Sequence, residues 1–148
     1  QGEKLKKLLD ECEIKPHVIQ MEAHPYYCEE ETIVALAPCG CRVMAWYPLG
    51  HGDHALLEEP VVKELAEKYK KSTAQVILRW HTQVGNIVIP GSTNPEHIKA
   101  NLDIFDFELT DEEMAKMAGL NKNVRYYYPD EEKLAAYVNM KIDLDSQK

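Results

Sequence analysis

The chain has no basic tract. Its 17 lysines and arginines face 25 aspartates and glutamates, for a net charge of −8. That balance argues against nucleic acid and anionic membrane surfaces as partners. No apolar run approaches the roughly 20 residues of a membrane span, and no secretory signal is legible. Paired CxxC motifs are missing as well. The cysteines are Cys12, Cys28, Cys39 and Cys41. The close pair, Cys39-Gly40-Cys41, has neither zinc-ribbon nor redox spacing. Free thiols in a reducing cytoplasm, with no metal site, are therefore the expectation. His51 and His54 flank Asp53 in a glycine-containing loop, too small a ligand set for a metal, and read as loop residues. Internal repeats and low-complexity segments are absent. An initiator Met is lacking too: Gln1 opens the chain inside a helix-like segment, which suggests further chain upstream.

What remains is an ordinary soluble composition, 45% hydrophobic and 28% charged over 148 residues, enough for one domain with a core. Residues 1–148 read as a single unit, with 124–148 an irregular or helical C-terminal tail. Leu5, Leu8, Leu9 and Cys12 recur at helical spacing and predict a helix over Gly2–Glu13. His17–Ala23 reads as a strand with Ile19, Met21 and Ala23 on one face, and Val18, Gln20, Glu22 and His24 on the other. A helix over Glu29–Ala37 ends at Pro38. Arg42–Tyr47 is a second buried strand, stopped by Pro48 and followed by a loop over Leu49–Leu57. Pro60 opens a helix with Val61, Val62, Leu65, Ala66 and Tyr69 inward. Ser72-Thr-Ala-Gln75 is a capping box for a helix burying Val76, Ile77 and Trp80. Thr110-Asp-Glu-Glu113 is another, and one more helix is expected over Glu131–Asn139.

The stretch from Ile87 to Asn101 carries the most information. Ile87, Val88 and Ile89 read as a buried parallel strand. Pro90 and Gly91 end it, Asn94 stands as an N-cap, and Pro95 takes the first helical position. A strand, a polar loop and a helix N-terminus in that order suit a phosphate, although most such corners bind nothing. Strands alternating with helices imply βαβ units and a parallel sheet. Helices on one face would leave the other bare, so the polar side of the first strand (Gln20, Glu22, His24) calls for more strands than this chain supplies.

Three separated motifs occur in order: Gln20-Met-Glu22-Ala-His24-Pro25-Tyr26, then Ala45-Trp46-Tyr47-Pro48-Leu49-Gly50, then Ile89-Pro90-Gly91-Ser92 with Asn101 downstream. In these the chain resembles the aldo-keto reductases, from its first helix to at least Asn123. The resemblance implies an α/β fold, a partial (β/α)8 TIM barrel made of the last three strands with their helices plus the C-terminal tail. Whole barrels of this kind run to about 250 residues. It also implies hydride transfer between NADP(H) and a small carbonyl or alcohol. By the same resemblance Gln20 would hold the nicotinamide carboxamide and Trp46 would stack on the nicotinamide ring. The residue types alone leave Trp46 open as a core aromatic. The turn Pro48-Leu49-Gly50 and the loop after it, with His51 and Asp53, would straddle the pyrophosphate, and Tyr47 would be a further cofactor-binding residue. Ile89, Pro90, Gly91, Ser92, Thr93, His97 and Asn101 would address the adenosine end.

Two departures matter. Family members usually read Ile-Pro-Lys-Ser, then Arg, then Glu-Asn, where this chain has Gly91, His97 and Ala100. Losing two permanent cations from a dianion site weakens NADP preference, so NAD(H) enters as a second cofactor. The resemblance also places the catalytic Asp, Tyr, Lys and His in the first half of the barrel, so no catalytic residue is expected here. His24 beside Glu22 reads as a packing residue, and the tail tyrosines Tyr126–Tyr128 as packing over the barrel mouth or touching substrate. Three functions stay open: the cofactor-binding portion of a reductase, inactive without its other half; a truncated relative that holds nucleotide without chemistry; and a self-associating protein that pairs through uncovered sheet edges.

Overall fold

The computed structural model describes residues 2–140. Gln1 and the part of the expected tail at 141–148 lie outside the described residues. The order is α1 (Glu3–Glu11), β1 (Val18–Glu22), α2 (Glu30–Leu36), β2 (Arg42–Trp46), α3 (His54–Leu57), α4 (Pro60–Tyr69), α5 (Thr73–Gln83), β3 (Ile87–Val88), α6 (Pro95–Leu102), α7 (Asp111–Ala118) and α8 (Glu131–Asn139). A short 3-10 turn, Ala37–Cys39, follows α2. The strands form one parallel sheet in sequence order. Gln20 lies opposite Met44 and Glu22 opposite Trp46, while Met44 and Ala45 lie opposite Ile87 and Val88.

Side chains alternate across a strand, and the core follows that alternation. Ile19, Met21, Ala23, Val43, Ala45 and Val88 share one face, packed with Leu36 and Ile33 of α2 and Leu5 and Leu9 of α1. A second cluster joins α4, α5 and α7 through Val62, Leu65, Val76, Ile77, Trp80 and Met117, with Leu56 of α3. Each fully buried aliphatic side chain contributes roughly 1.5–3 kcal/mol.

The expectation that each strand is buried is corrected. Val18, Gln20 and Arg42 are exposed and Met44 is half-buried, because helices cover one face only. The bare face is also smaller than expected. Glu22 and His24 are buried under the chain's own segment at Tyr126 and Tyr127, so Gln20 alone of that polar trio faces outward. The loop over Leu49–Leu57 contains α3, whose N-cap is Asp53 with its side chain on the Ala55 N–H. His54 is therefore helical rather than a loop residue. Ile89 leaves the sheet and stands 60% exposed before Pro90, so β3 is shorter than its sequence suggests. The first helix stops at Glu11, where Cys12 already has extended backbone.

Both capping boxes form. In α5, Ser72 Oγ accepts from the Gln75 N–H and Gln75 reaches back to the Ser72 N–H. Ser72→Ala should lower stability by about 1 kcal/mol, read as a lower urea midpoint with unchanged slope; an unmoved midpoint would contradict it. In α7, Glu113 completes the box with Thr110 and takes hydrogen bonds from Lys68 and Tyr69 of α4. Burial alone would raise its pKa, but these donors outweigh it and hold the carboxyl at about 2.

Candidate functional site

Parallel strands send all their following loops out from one edge of the sheet, where such folds place ligands. Three strand ends meet there. At the end of β1, the Glu22 carboxylate accepts from the backbone N–H groups of Tyr126 and Tyr127 and lies 3.1 Å from His24 Nε2. His24 is fully buried, and desolvation lowers its pKa against the opposing pull of Glu22. Its other ring nitrogen, Nδ1, has no hydrogen-bond partner among the described residues. The packing role expected for His24 agrees with this burial. Tyr126 packs on His24 with ring centroids 4.7 Å apart, and Tyr127 stands edge-on to Trp46 at 5.1 Å.

At the end of β2 the backbone turns sharply. Tyr47 and His51 adopt left-handed conformations, φ 57° and 54°, and Gly50 and Gly52 lie at φ 77° and 81°. Gly50 has a second reason to be glycine. A Cβ there would stand 3.0 Å from Leu56 Cδ2 and 3.3 Å from the Tyr126 hydroxyl. Asp53 accepts from that hydroxyl at 2.7 Å as well as capping α3. These two bonds, Tyr126 first, hold its pKa below the usual carboxylate value. Burial, reinforced by Asp53, raises the pKa of Tyr126.

The turn is held from beneath by a residue that sequence reasoning missed. His81 of α5 is fully buried, with Nε2 3.1 Å from the Pro48 carbonyl and Nδ1 3.2 Å from Asn86 Nδ2. A carbonyl only accepts, so Nε2 carries the proton and Nδ1 accepts from Asn86. Desolvation pushes the His81 pKa down to about 4. A signal existed: His81 lies four residues after Ile77, on the helix face already marked as inward.

At the end of β3, Ser92 Oγ accepts from the Asn94 N–H at 3.1 Å, and Asn94 Oδ1 caps α6 through the Glu96 N–H at 3.0 Å. The expected cap with Pro95 behind it is therefore in place. Asn101 Nδ2 lies 3.5 Å from the Pro90 carbonyl, across the loop. Gly91, Thr93 and His97 are exposed, and Ser92 is half-buried. Gln20 and Trp46 share the uncovered face of the sheet, while Leu49 packs toward the α4–α5 core. A cleft of about 310 Å3 at this edge is lined by Glu22, Trp46, Arg125 and Tyr127 among others. A larger hollow of about 800 Å3 runs between α1 and α2 and touches none of the sequence-predicted residues.

The sequence profile of the aldo/keto reductase family matches residues 2–122. The chain belongs to the aldo/keto reductase family. It is 48% identical over 124 residues to aldo-keto reductase family 1 member A1 of Gallus gallus, covering 78% of this chain and 38% of that protein. An aldo-keto reductase of Mycolicibacterium smegmatis is 45% identical over 125 residues, covering 84% and 45%. Among solved structures, the Bombyx mori aldo-keto reductase in complex with NADP superposes with a TM-score of 0.75 at 36% identity, over 81% of this chain and 42% of its own. A Brucella melitensis aldo/keto reductase gives 0.74 at 40% identity, over 82% and 46%. The chain thus spans less than half the length of these aldo-keto reductases, and its sheet with flanking helices is part of their barrel.

Proposed function

We infer that this chain forms the cofactor-holding portion of an NADP(H)-dependent aldo-keto reductase. One observation carries the reading. The sheet brings the ends of β1, β2 and β3 to a single edge, with Gln20 and Trp46 on the uncovered face. A relative of the same fold is solved in complex with NADP. The donor set fits such a group: an exposed amide, a half-buried indole, and an open loop at Gly91, where an added Cβ would meet nothing within 4 Å. In this assignment Gln20 holds the carboxamide and Trp46 screens one side of the nicotinamide. Pro48, Leu49, Gly50, His51 and Asp53 follow the pyrophosphate, and Tyr47 stands between this turn and Trp46. Ile89, Pro90, Gly91, Ser92, Thr93, His97 and Asn101 surround the adenosine end. The bound cofactor supplies a hydride for a small carbonyl substrate. The proton-transfer groups belong to the rest of the barrel, so no residue of this chain is assigned a catalytic role. The free cysteines fit a reducing cytoplasm.

Titration with NADPH by calorimetry tests the reading. Binding is expected, and Trp46→Ala should weaken it by about tenfold, the scale of a lost stacked aromatic contact. The chain alone should not oxidise NADPH when given an aromatic aldehyde, and turnover by it would overturn the assignment of chemistry elsewhere. With Gly91 and His97 at the phosphate positions, NADPH and NADH should differ in affinity by less than about tenfold. Unaltered binding in Trp46→Ala would overturn the platform.

The exposed Val18, Ile89 and Phe105 and the open sheet edges favour self-association as a second reading. A concentration-dependent shift in sedimentation would support it.

A further inference from the structure

Consecutive side chains of a strand point to opposite faces, so Trp46 and Tyr47 should not meet. They do. The left-handed backbone of Tyr47, φ 57°, swings its ring back against Trp46, with centroids 3.9 Å apart and planes 20° from parallel. On its other side Tyr47 meets the ring of His51 at 3.8 Å and 24°, and His51 is itself left-handed at φ 54°. A bulky residue holds this backbone region at a cost, and it persists only where surrounding contacts enforce it. Here those contacts are two stacked rings and the hydrogen bond that the Gly50 N–H donates to the Tyr47 carbonyl. Tyr47 therefore fills a ring-sized space between Trp46 and His51, at the surface rather than in the core: Tyr47 is half-buried and His51 exposed.

We propose that Tyr47 is a built-in occupant of the nicotinamide-ring position, stacked on Trp46 in the free protein and displaced when the cofactor's ring enters. The proposal rests on the reading of Trp46 as the ring's platform. Displacement removes two ring contacts before the new one forms, so the resident ring lowers apparent affinity by the fraction of molecules in which it is out. Tyr47 contributes nothing at the adenosine end, so its effect is confined to ligands that carry the planar ring.

Calorimetric titration of the chain with NADPH and with adenosine 2′-monophosphate, which lacks both the ring and the pyrophosphate, separates the cases. Tyr47→Ser should bind NADPH about three- to tenfold more tightly than the parent and bind adenosine 2′-monophosphate as the parent does. Tyr47→Phe keeps the stacked ring and should match the parent for both. Far-UV circular dichroism verifies that the variants fold. Unchanged or weaker NADPH binding by Tyr47→Ser, equal tightening for both ligands, or no NADPH binding by any of the proteins would overturn the proposal. The platform fails separately: Trp46→Ala would then bind NADPH as the parent does, whatever Tyr47→Ser shows.

Discussion

Glu22→Ala should lower the stability of the chain by about 3 kcal/mol and release the segment after Asn123 from the sheet edge. Glu22 is 7% exposed, and its two oxygens accept from the Tyr126 and Tyr127 backbone N–H groups and face His24. Truncation removes at once a charged acceptor from two part-buried backbone donors and the partner of the His24 ring. The segment it holds carries Tyr126 onto His24 and Asp53, and Tyr127 onto Trp46. Two readouts should therefore move together: the urea midpoint should fall, and proteases should cut readily between residues 123 and 130. Glu22→Gln keeps one acceptor oxygen and should lie between the two. A Glu22→Ala chain that resists proteolysis and keeps its midpoint would show that the segment is held without Glu22, by its ring contacts and the Tyr126–Asp53 hydrogen bond.

A second large effect concerns acid. His81 is fully buried with a pKa of about 4 in place of the usual 6.5, and burial lowers that of His24 as well. Between about pH 6.5 and 4 the unfolded chain takes up a proton that the folded chain refuses. Stability is then complete above pH 6.5 and is lost as the pH falls through this window. By linkage His81 alone removes about 2 kcal/mol at pH 5, with His24 adding in the same direction. Carboxylates with lowered pKa, such as Glu113, add their loss only below about pH 4.5. Urea midpoints at pH 7, 6 and 5 thus isolate the histidines. His81→Gln should flatten most of that slope while lowering stability throughout. Equal stability of the parent at pH 7 and pH 5 would show that His81 gains a proton without unfolding.

Local chemistry made much of the fold legible. The boxes at Ser72 and Thr110 and the Asn94-Pro95 helix start depend on residues three positions apart or fewer, and all formed as read. The alternation of Ile19, Met21 and Ala23 against Gln20 fixed which face is packed. Long-range cover was legible only in outline, in the tail tyrosines expected over the barrel mouth. Nothing near Glu22 or His24 indicates that residues over a hundred positions later bury them. Nor does any short pattern place the Tyr47 ring on Trp46, because period-2 alternation puts it on the opposite side. Helix α3 escaped notice because four residues carry no readable period. His81 is a different case: a polar residue on an apolar helix face needs a buried partner, and helical spacing does not name Pro48, 33 positions away, as that partner. The candidate site residues came from family resemblance; the structure adds that the three strands beside them are parallel neighbours, so their following loops leave the sheet at the same end.

The bonds from Tyr126 and Tyr127 to Glu22 span 104 and 105 positions, and this has a consequence for how the chain is made. A ribosome releases the strand carrying Glu22 early and the segment that covers it late. During synthesis the carboxylate waits in water, solvated and exposed, while the intervening strands and helices assemble. Loop-closure entropy rises only slowly with length, and an assembled sheet already brings the two ends near each other. The clasp therefore closes after the sheet, and β1 acquires its finished edge only once Tyr126 and Tyr127 have been made.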